Sequence, residues 1–218
     1  MDIGLRTLDI GQEFMKPEII FWILGTYGIA SFPTGFVLVK LLKGIDIRKL
    51  GSGNTGATNV FRAAGAGAFA VTLMLDAFKG YLPVMLAARY FTQAGAFSIL
   101  LIALTALCGH IFSIFLKFRG GKGVATAAGV FLALLPAPAG LAIASFMIIF
   151  VLTRYVSAGS LAGAVVLPLS SWLLREHPSF SVFATLAGLL IVYTHRANIK
   201  RLLNGTENKI SFTSSKGK

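Results

Sequence analysis

The sequence predicts an all-α fold: a polytopic membrane helix bundle of about seven transmembrane helices, with its N-terminus outside and its C-terminus in the cytoplasm. Three observations carry that expectation. Of the 218 residues, 56% are hydrophobic and only 13% charged, against about a quarter charged in soluble domains. The apolar residues fall in runs close to the ~20 residues that a helix needs to cross a bilayer. The cations, 20 Lys and Arg against 8 Asp and Glu, gather in short segments between those runs, as cytoplasmic loops do. A net charge of +12 therefore speaks for membrane lipids as the surroundings and against nucleic acid as a partner. The lone Cys108 lies in an apolar run, so neither a disulfide framework nor a cysteine metal site is expected.

Residues 1–14 read as an N-terminal extension, 15–210 as one integral membrane domain and 211–218 as a polar tail. No cleavable signal peptide is expected, because acids as well as bases precede the first apolar run, itself of span length. The first span is Glu18–Lys40, the second Ala66–Tyr90 and the third Gly95–Leu116. The stretch Val124–Leu152 reads as one long span or as two short ones broken by Pro136 and Pro138, since proline removes a donor and clashes inside a helix. Charge decides between them. Lys40–Arg62 carries five cations, Lys117–Lys122 three and the tail from Arg196 six. Two spans at 124–135 and 139–152 keep all three clusters on one side of the membrane. The last spans are Leu161–Leu174 and Phe180–Thr194. This topology also brings Arg154-Tyr155-Val156-Ser157-Ala158-Gly159-Ser160 to the cytoplasmic face, with Ser160 the preferred candidate of its two serines.

Polar chemistry is confined to three segments. The first is Ser52-Gly53-Asn54-Thr55-Gly56-Ala57-Thr58-Asn59-Val60-Phe61-Arg62. Glycines let a backbone come close to a ligand, and successive N–H groups can converge on one anion. A helix starting near Thr58 sets Asn59 and Arg62 on one face near its positive end. Glycine and asparagine clusters also mark ordinary turns, so a plain loop fits this segment as well. It is not a Walker A loop, because Ala57 stands where the lysine is required. The second segment is Phe118-Arg119-Gly120-Gly121-Lys122-Gly123. Lys122 reads as a membrane anchor or a phosphate ligand; the glycines favour the ligand, since an anchor needs no permissive backbone. In the third, His195, Asn198 and Arg201 recur every third residue and share a helical face, with Gly205 as the helix stop. Within the spans, His110 is a structural or a cavity-lining histidine. Asp76 and Lys79, three apart, are a structural ion pair or part of the chemistry.

Together, Ser52-Gly53-Asn54-x-Gly56-x-x-Asn59-x-x-Arg62, then Leu75-Asp76-x-x-Lys79-Gly80, Gly109-His110-x-Phe112 leading to Gly120-Gly121-Lys122-Gly123-Val124-Ala125-Thr126, and His195-Arg196-x-Asn198-Ile199-x-Arg201-Leu202-Leu203-x-Gly205-x-Glu207-x-Lys209, closely resemble the bacterial acyl-phosphate glycerol-3-phosphate acyltransferase family. The resemblance runs from about residue 18 to 210. Ser113 departs from it, standing where that family is expected to have proline, a change expected to touch no polar group. The resemblance implies transfer of a fatty acyl group from acyl phosphate, not acyl-CoA, to the 1-hydroxyl of glycerol 3-phosphate in the bacterial inner membrane. The products are lysophosphatidic acid and phosphate. Candidate catalytic residues are His195, Asn198, Lys122, Ser52 and Arg62. Candidate substrate contacts are Gly53, Asn54, Thr55, Gly56, Asn59, Gly120, Gly121, Gly123, Ser160, Arg196, Arg201 and Glu207. No metal and no cofactor is expected. The enzyme that makes acyl phosphate is a candidate partner, and the oligomeric state stays open. No Gly-x-Ser-x-Gly elbow and no His-x4-Asp pair occurs, which fits direct transfer assisted by positioning and charge. A transporter of phosphate or an organic anion is the rival reading, though it would need polar groups on both sides.

The topology has a direct test. A cysteine at position 154, in a Cys108→Ser background, is expected to label from the cytoplasmic side only. Labelling from outside would make Val124–Leu152 a single span.

Overall fold

The computed structural model describes residues 17–91 and 95–210; the extension at 1–14 and the tail at 211–218 lie outside the described residues. Every regular element among the described residues is helical. In chain order they are α1 (Pro17–Ser31), α2 (Thr34–Lys43), α3 (Ala57–Tyr90), α4 (Gly95–Ile111), α5 (Val124–Leu134), α6 (Pro136–Thr153), α7 (Val156–Leu173), α8 (Pro178–Thr194) and α9 (Arg196–Leu203). Single 3-10 turns sit at Ile47–Lys49 and Ile114–Leu116. Five segments are long and apolar enough to cross a membrane, and α8 with α9, bent by 60°, pass together as a sixth. Helix α5 is apolar but only 11 residues long.

The first expected span is broken: α1 ends at Ser31 and α2 begins at Thr34. Pro33 explains the break, since a proline ring drives the residue before it out of the helical region. Val124–Leu152 is two helices, with the interruption at Leu135, at φ −137° and ψ 68°. Both prolines lie instead in the first turn of α6, where a missing N–H costs nothing. Helix α3 starts at Ala57 rather than Ala66, and α4 stops at Ile111 rather than Leu116.

The chain forms two compact units, residues up to Pro136 and residues from Ala137. In the first, α3 packs on α5 and α1 on α4. Their backbones approach closely at small residues, as membrane helices require in place of a hydrophobic drive between apolar faces. A Cβ at Gly80 would strike the Thr126 carbonyl, and one at Gly129 the Ala77 carbonyl. Polar bonds hold the α1–α2 break against α4: Tyr27 OH donates to the Phe112 carbonyl at 2.6 Å and Ser31 Oγ to the Gly109 carbonyl at 3.2 Å. Ser113 Oγ donates to the Ser31 carbonyl at 2.5 Å. The expectation that Ser113 touches no polar group is thus corrected: its hydroxyl satisfies a carbonyl that the Pro33 break leaves without a helical partner.

At the centre of this unit lies a buried ion pair. Lys79 Nζ is 2.7 Å from Asp76 Oδ1, with side-chain exposures of 8% and 4%. The same ammonium donates to the Phe32 carbonyl at 2.7 Å, and Thr126 Oγ1 donates to the Asp76 backbone carbonyl at 3.0 Å. The Lys79 ammonium therefore ties the α1–α2 break to α3, and the Thr126 hydroxyl ties α3 to α5 through the Asp76 backbone. In the second unit α7 packs on α8, with Gly188 against the Ala164 carbonyl, and α9 touches both.

Removing one member of a buried pair leaves an uncompensated charge and costs ~3–5 kcal/mol. Asp76→Ala is therefore expected to destabilise the purified protein by about that amount in a denaturant titration. The volume-conserving pair Asp76→Leu/Lys79→Met should cost much less, and equal losses in the two variants would contradict the assignment.

Candidate active site

The first motif folds on itself around one side chain. Asn59, 2% exposed, donates from Nδ2 to the carbonyls of Ile47 at 3.2 Å, Leu50 at 3.0 Å and Asn54 at 2.9 Å. Its Oδ1 accepts the Ser52 N–H at 3.2 Å. An amide offers two N–H donors, so this group is committed to the loop. A Cβ at Gly51 would strike Asn59 Oδ1, and the residue sits at φ 53°, in the left-handed region that favours glycine. Asn54 Oδ1 accepts the Gly56 N–H at 2.8 Å, an Asx turn. Thr55 is buried, while Ser52 and Gly53 stand exposed on the loop. The loop is seated by Val39, Ile47 and Val60, packed together with Ala68. Asn59 and Arg62 fall in the first turns of α3, as the sequence predicted. Asn59 turns into the loop and Arg62 is exposed.

The second motif is moulded on the end of α4. Gly121 N–H donates to the His110 carbonyl at 3.1 Å and Gly120 N–H to the Ile111 carbonyl at 2.9 Å. A Cβ at Gly120 would strike the His110 carbonyl, and one at Gly121 the His110 ring. Glycine is required twice because the chain doubles back against backbone and imidazole. The turn delivers Lys122, half-buried, just before Gly123 caps α5. His110 is the former for this turn. It also lines a small polar recess with Phe32, Thr55, Asp76, Lys79 and Gly121.

The second unit holds the third motif, centred on Glu207. Its Oε1 accepts from Ser157 Oγ at 2.9 Å and Asn198 Nδ2 at 2.6 Å, and its Oε2 from Arg201 Nε at 2.6 Å. Burial pushes this carboxyl up, but the hydrogen bonds from Asn198, Arg201 and Ser157 outweigh it and hold the group below its ordinary value of 4.5. Of the two serines, Ser157 joins the cluster, whereas Ser160 Oγ returns to the Val156 carbonyl of its own helix at 2.9 Å. Spacing did not separate them, because both lie on one face of α7. Asn198 and Arg201 share the predicted face of α9; His195 stands at the corner between α8 and α9, 2% exposed. Its Nδ1 lies 2.8 Å from the Ile191 carbonyl oxygen, which can only accept. Nδ1 therefore carries the proton in the neutral ring, and Nε2 is its acceptor atom. Arg196 is exposed, its guanidinium over the Tyr193 ring at 4.6 Å.

The two polar clusters thus differ in kind. The first unit offers backbone-lined turns with Arg62 and Lys122. The second offers a carboxylate that orients an amide and a guanidinium beside an imidazole whose tautomer is set.

Comparison with known proteins gives these clusters a context. The glycerol-3-phosphate acyltransferase family model matches residues 20–205. The chain is 45% identical over 191 residues to the glycerol-3-phosphate acyltransferase of Endomicrobium trichonymphae, an overlap of 88% of this chain and 95% of the relative. It is 42% identical over 193 residues to glycerol-3-phosphate acyltransferase 2 of Thermotoga maritima, with 88% and 96% covered. Its fold is similar to the crystal structure of PlsY (YgiH), an integral membrane glycerol 3-phosphate acyltransferase, in its glycerol 3-phosphate form: TM-score 0.85, 36% identity, 89% and 96% covered. The lysophosphatidic acid form of PlsY matches with a TM-score of 0.82.

The Glu207 cluster predicts a pH dependence. A carboxyl whose folded-state pKa is depressed contributes stability above its unfolded value, and that contribution is lost as pH falls through the folded value. The thermal midpoint of the wild type is therefore expected to fall as pH drops below 4.5, by more than in Glu207→Gln. Parallel profiles for the two proteins would rule the cluster out as the source.

Proposed function

The chain belongs to the glycerol-3-phosphate acyltransferase family, and from that premise we propose that it transfers a fatty acyl group from acyl phosphate to the 1-hydroxyl of glycerol 3-phosphate. The observation that carries the proposal is the pair of glycine-lined turns, one ending in Arg62 and the other holding Lys122. A chain that merely anchored cations at a membrane surface would not need backbone packed too tightly for a Cβ. The two forms of PlsY, with glycerol 3-phosphate and with lysophosphatidic acid, correspond to acceptor and product of this reaction. The family favours acyl transfer over transport.

Both substrates carry phosphate, so bringing them together costs Coulomb energy. A pair of unit charges 4 Å apart interacts by ~4 kcal/mol at the effective dielectric of a protein surface. Arg62, Lys122, Arg196 and Arg201 offset that repulsion, the guanidinium groups by bidentate contact. Ser52 and Thr55, on the backbone shaped by Gly53, Asn54 and Gly56, form one phosphate cradle; the tight turn through Gly120, Gly121 and Gly123 sets Lys122 in the other. The 1-hydroxyl oxygen attacks the acyl carbonyl carbon, the bond from that carbon to the phosphate oxygen breaks, and phosphate departs. The hydroxyl proton passes to a phosphate oxygen of the donor. His195, with Nε2 as acceptor, orients the hydroxyl, and Asn198 holds its amide toward the substrate side from Glu207. Catalysis is by positioning and charge stabilisation, and acyl-CoA does not serve. Seven crossings, with α5 as a short one, set the chain in a bacterial inner membrane with the reacting groups on the cytoplasmic side.

Purified protein is expected to make lysophosphatidic acid and phosphate from palmitoyl phosphate and glycerol 3-phosphate; turnover with palmitoyl-CoA alone would refute the donor. Arg62→Ala and Lys122→Ala each remove a charged hydrogen bond contributing ~1.5–3 kcal/mol, so kcat/KM should fall roughly ten- to hundredfold. His195→Asn and His195→Gln should retain far more activity than His195→Ala. Equal inactivity of all three folded variants would make His195 the proton acceptor instead.

A further inference from the structure

Helix α3 is continuous in name but not in backbone. At Gly65 the chain leaves the helix, with φ 83° and ψ −174°. That region belongs essentially to glycine. Space is not the reason for glycine here, since a Cβ at Gly65 would meet no atom within 4 Å. The requirement is one of torsion alone.

Each side of this joint has its own polar anchors, while Ala68 just behind it shares the apolar cluster of Val60. Ahead of it, Ala57–Ala64 carries Asn59, committed to the loop carbonyls, and Arg62. Val60 seats this piece against Val39 and Ile47, with Ala63 and Ala64 beside them. Behind it, the span carries Asp76 and Lys79, fixed through Phe32 and Thr126. Two pieces with different polar anchors meet at one residue whose torsion L side chains rarely adopt.

We propose that Gly65 is the positioning residue for Arg62: its torsion sets the direction from which the guanidinium meets a substrate phosphate. This rests on the reading of Arg62 as a phosphate ligand. A side chain at 65 drives the joint toward allowed torsions and turns the short helix relative to the span. The Asn59 loop then either follows or strains, and Arg62 is displaced without being altered.

The test is a double-mutant cycle on detergent-purified full chain, with KM and kcat for glycerol 3-phosphate and palmitoyl phosphate and the folded fraction from a thermal transition. Gly67→Ala is the control, since a Cβ there also meets nothing within 4 Å and its torsion is ordinary; kinetics should stay within about twofold of wild type. Gly65→Ala is expected to raise KM for one substrate about tenfold, and to add little once Arg62 is alanine, because coupled sites are not additive. Losses that multiply in the double variant, or a fall in folded fraction with both KM values unchanged, would overturn the proposal. Ala66→Gly provides a variant that folds even if Gly65→Ala does not. It keeps Gly65, removes only an exposed methyl and loosens the joint. It should raise the same KM about threefold in the wild-type background and not in Arg62→Ala; an unchanged KM would also overturn the proposal. Arg62→Ala at wild-type KM and kcat is a distinct failure, of the phosphate reading itself, visible before Gly65 is touched.

Discussion

The first unit is organised around a single ammonium group. Lys79 Nζ lies 2.7 Å from both the Asp76 carboxylate and the Phe32 carbonyl. In an apolar interior neither charge is tolerable alone. At one point the ammonium meets the carboxylate and adds a second donor to the Phe32 carbonyl, which also accepts the Thr34 N–H at 3.0 Å. That point fixes the broken first span against α3, and Thr126 extends the constraint to α5, the helix that begins directly after the Lys122 turn. A buried pair of this kind contributes less to net stability than to register, and register is what a site assembled from separate turns demands.

The polar motifs then divide their labour. Asn59 builds the first loop, and His110 shapes the second through its carbonyl and ring. In the second unit Glu207 takes the corresponding place, with Ser157, Asn198 and Arg201 around one carboxylate. In each case one residue serves as internal scaffold and holds the polar or cationic side chains beside it in fixed directions. Preorganisation of this kind suits the direct transfer proposed above.

Glycine has two distinct uses here. Gly80, Gly120, Gly121 and Gly129 are glycines because a neighbour occupies the place of a Cβ. Gly65 is a glycine with open space around it, and only its torsion requires it. The sequence does not distinguish the two, since both are written with the same letter. The Ala-rich run around Gly65 carries no mark of a break, which only the backbone torsion at that residue reveals.

The sequence by itself determined the class, the positions of most spans and the three polar segments. Membrane partition and positive-inside bias are sums over local composition, which any contiguous stretch displays. The two-helix reading of Val124–Leu152 belongs to the same category, because cations on either side of it could be counted. Tertiary structure decided which polar groups meet. Ser157 rather than Ser160 reaches Glu207 because the chain after α9 folds back to α7, with Ile210 N–H on the Arg154 carbonyl at 3.0 Å. Ser113 finds the Ser31 carbonyl 82 residues away, and Asn59 is spent on its own loop rather than aimed outward. Hydrogen-bond partners are chosen by distance and direction in space, and those are fixed only once the helices have packed.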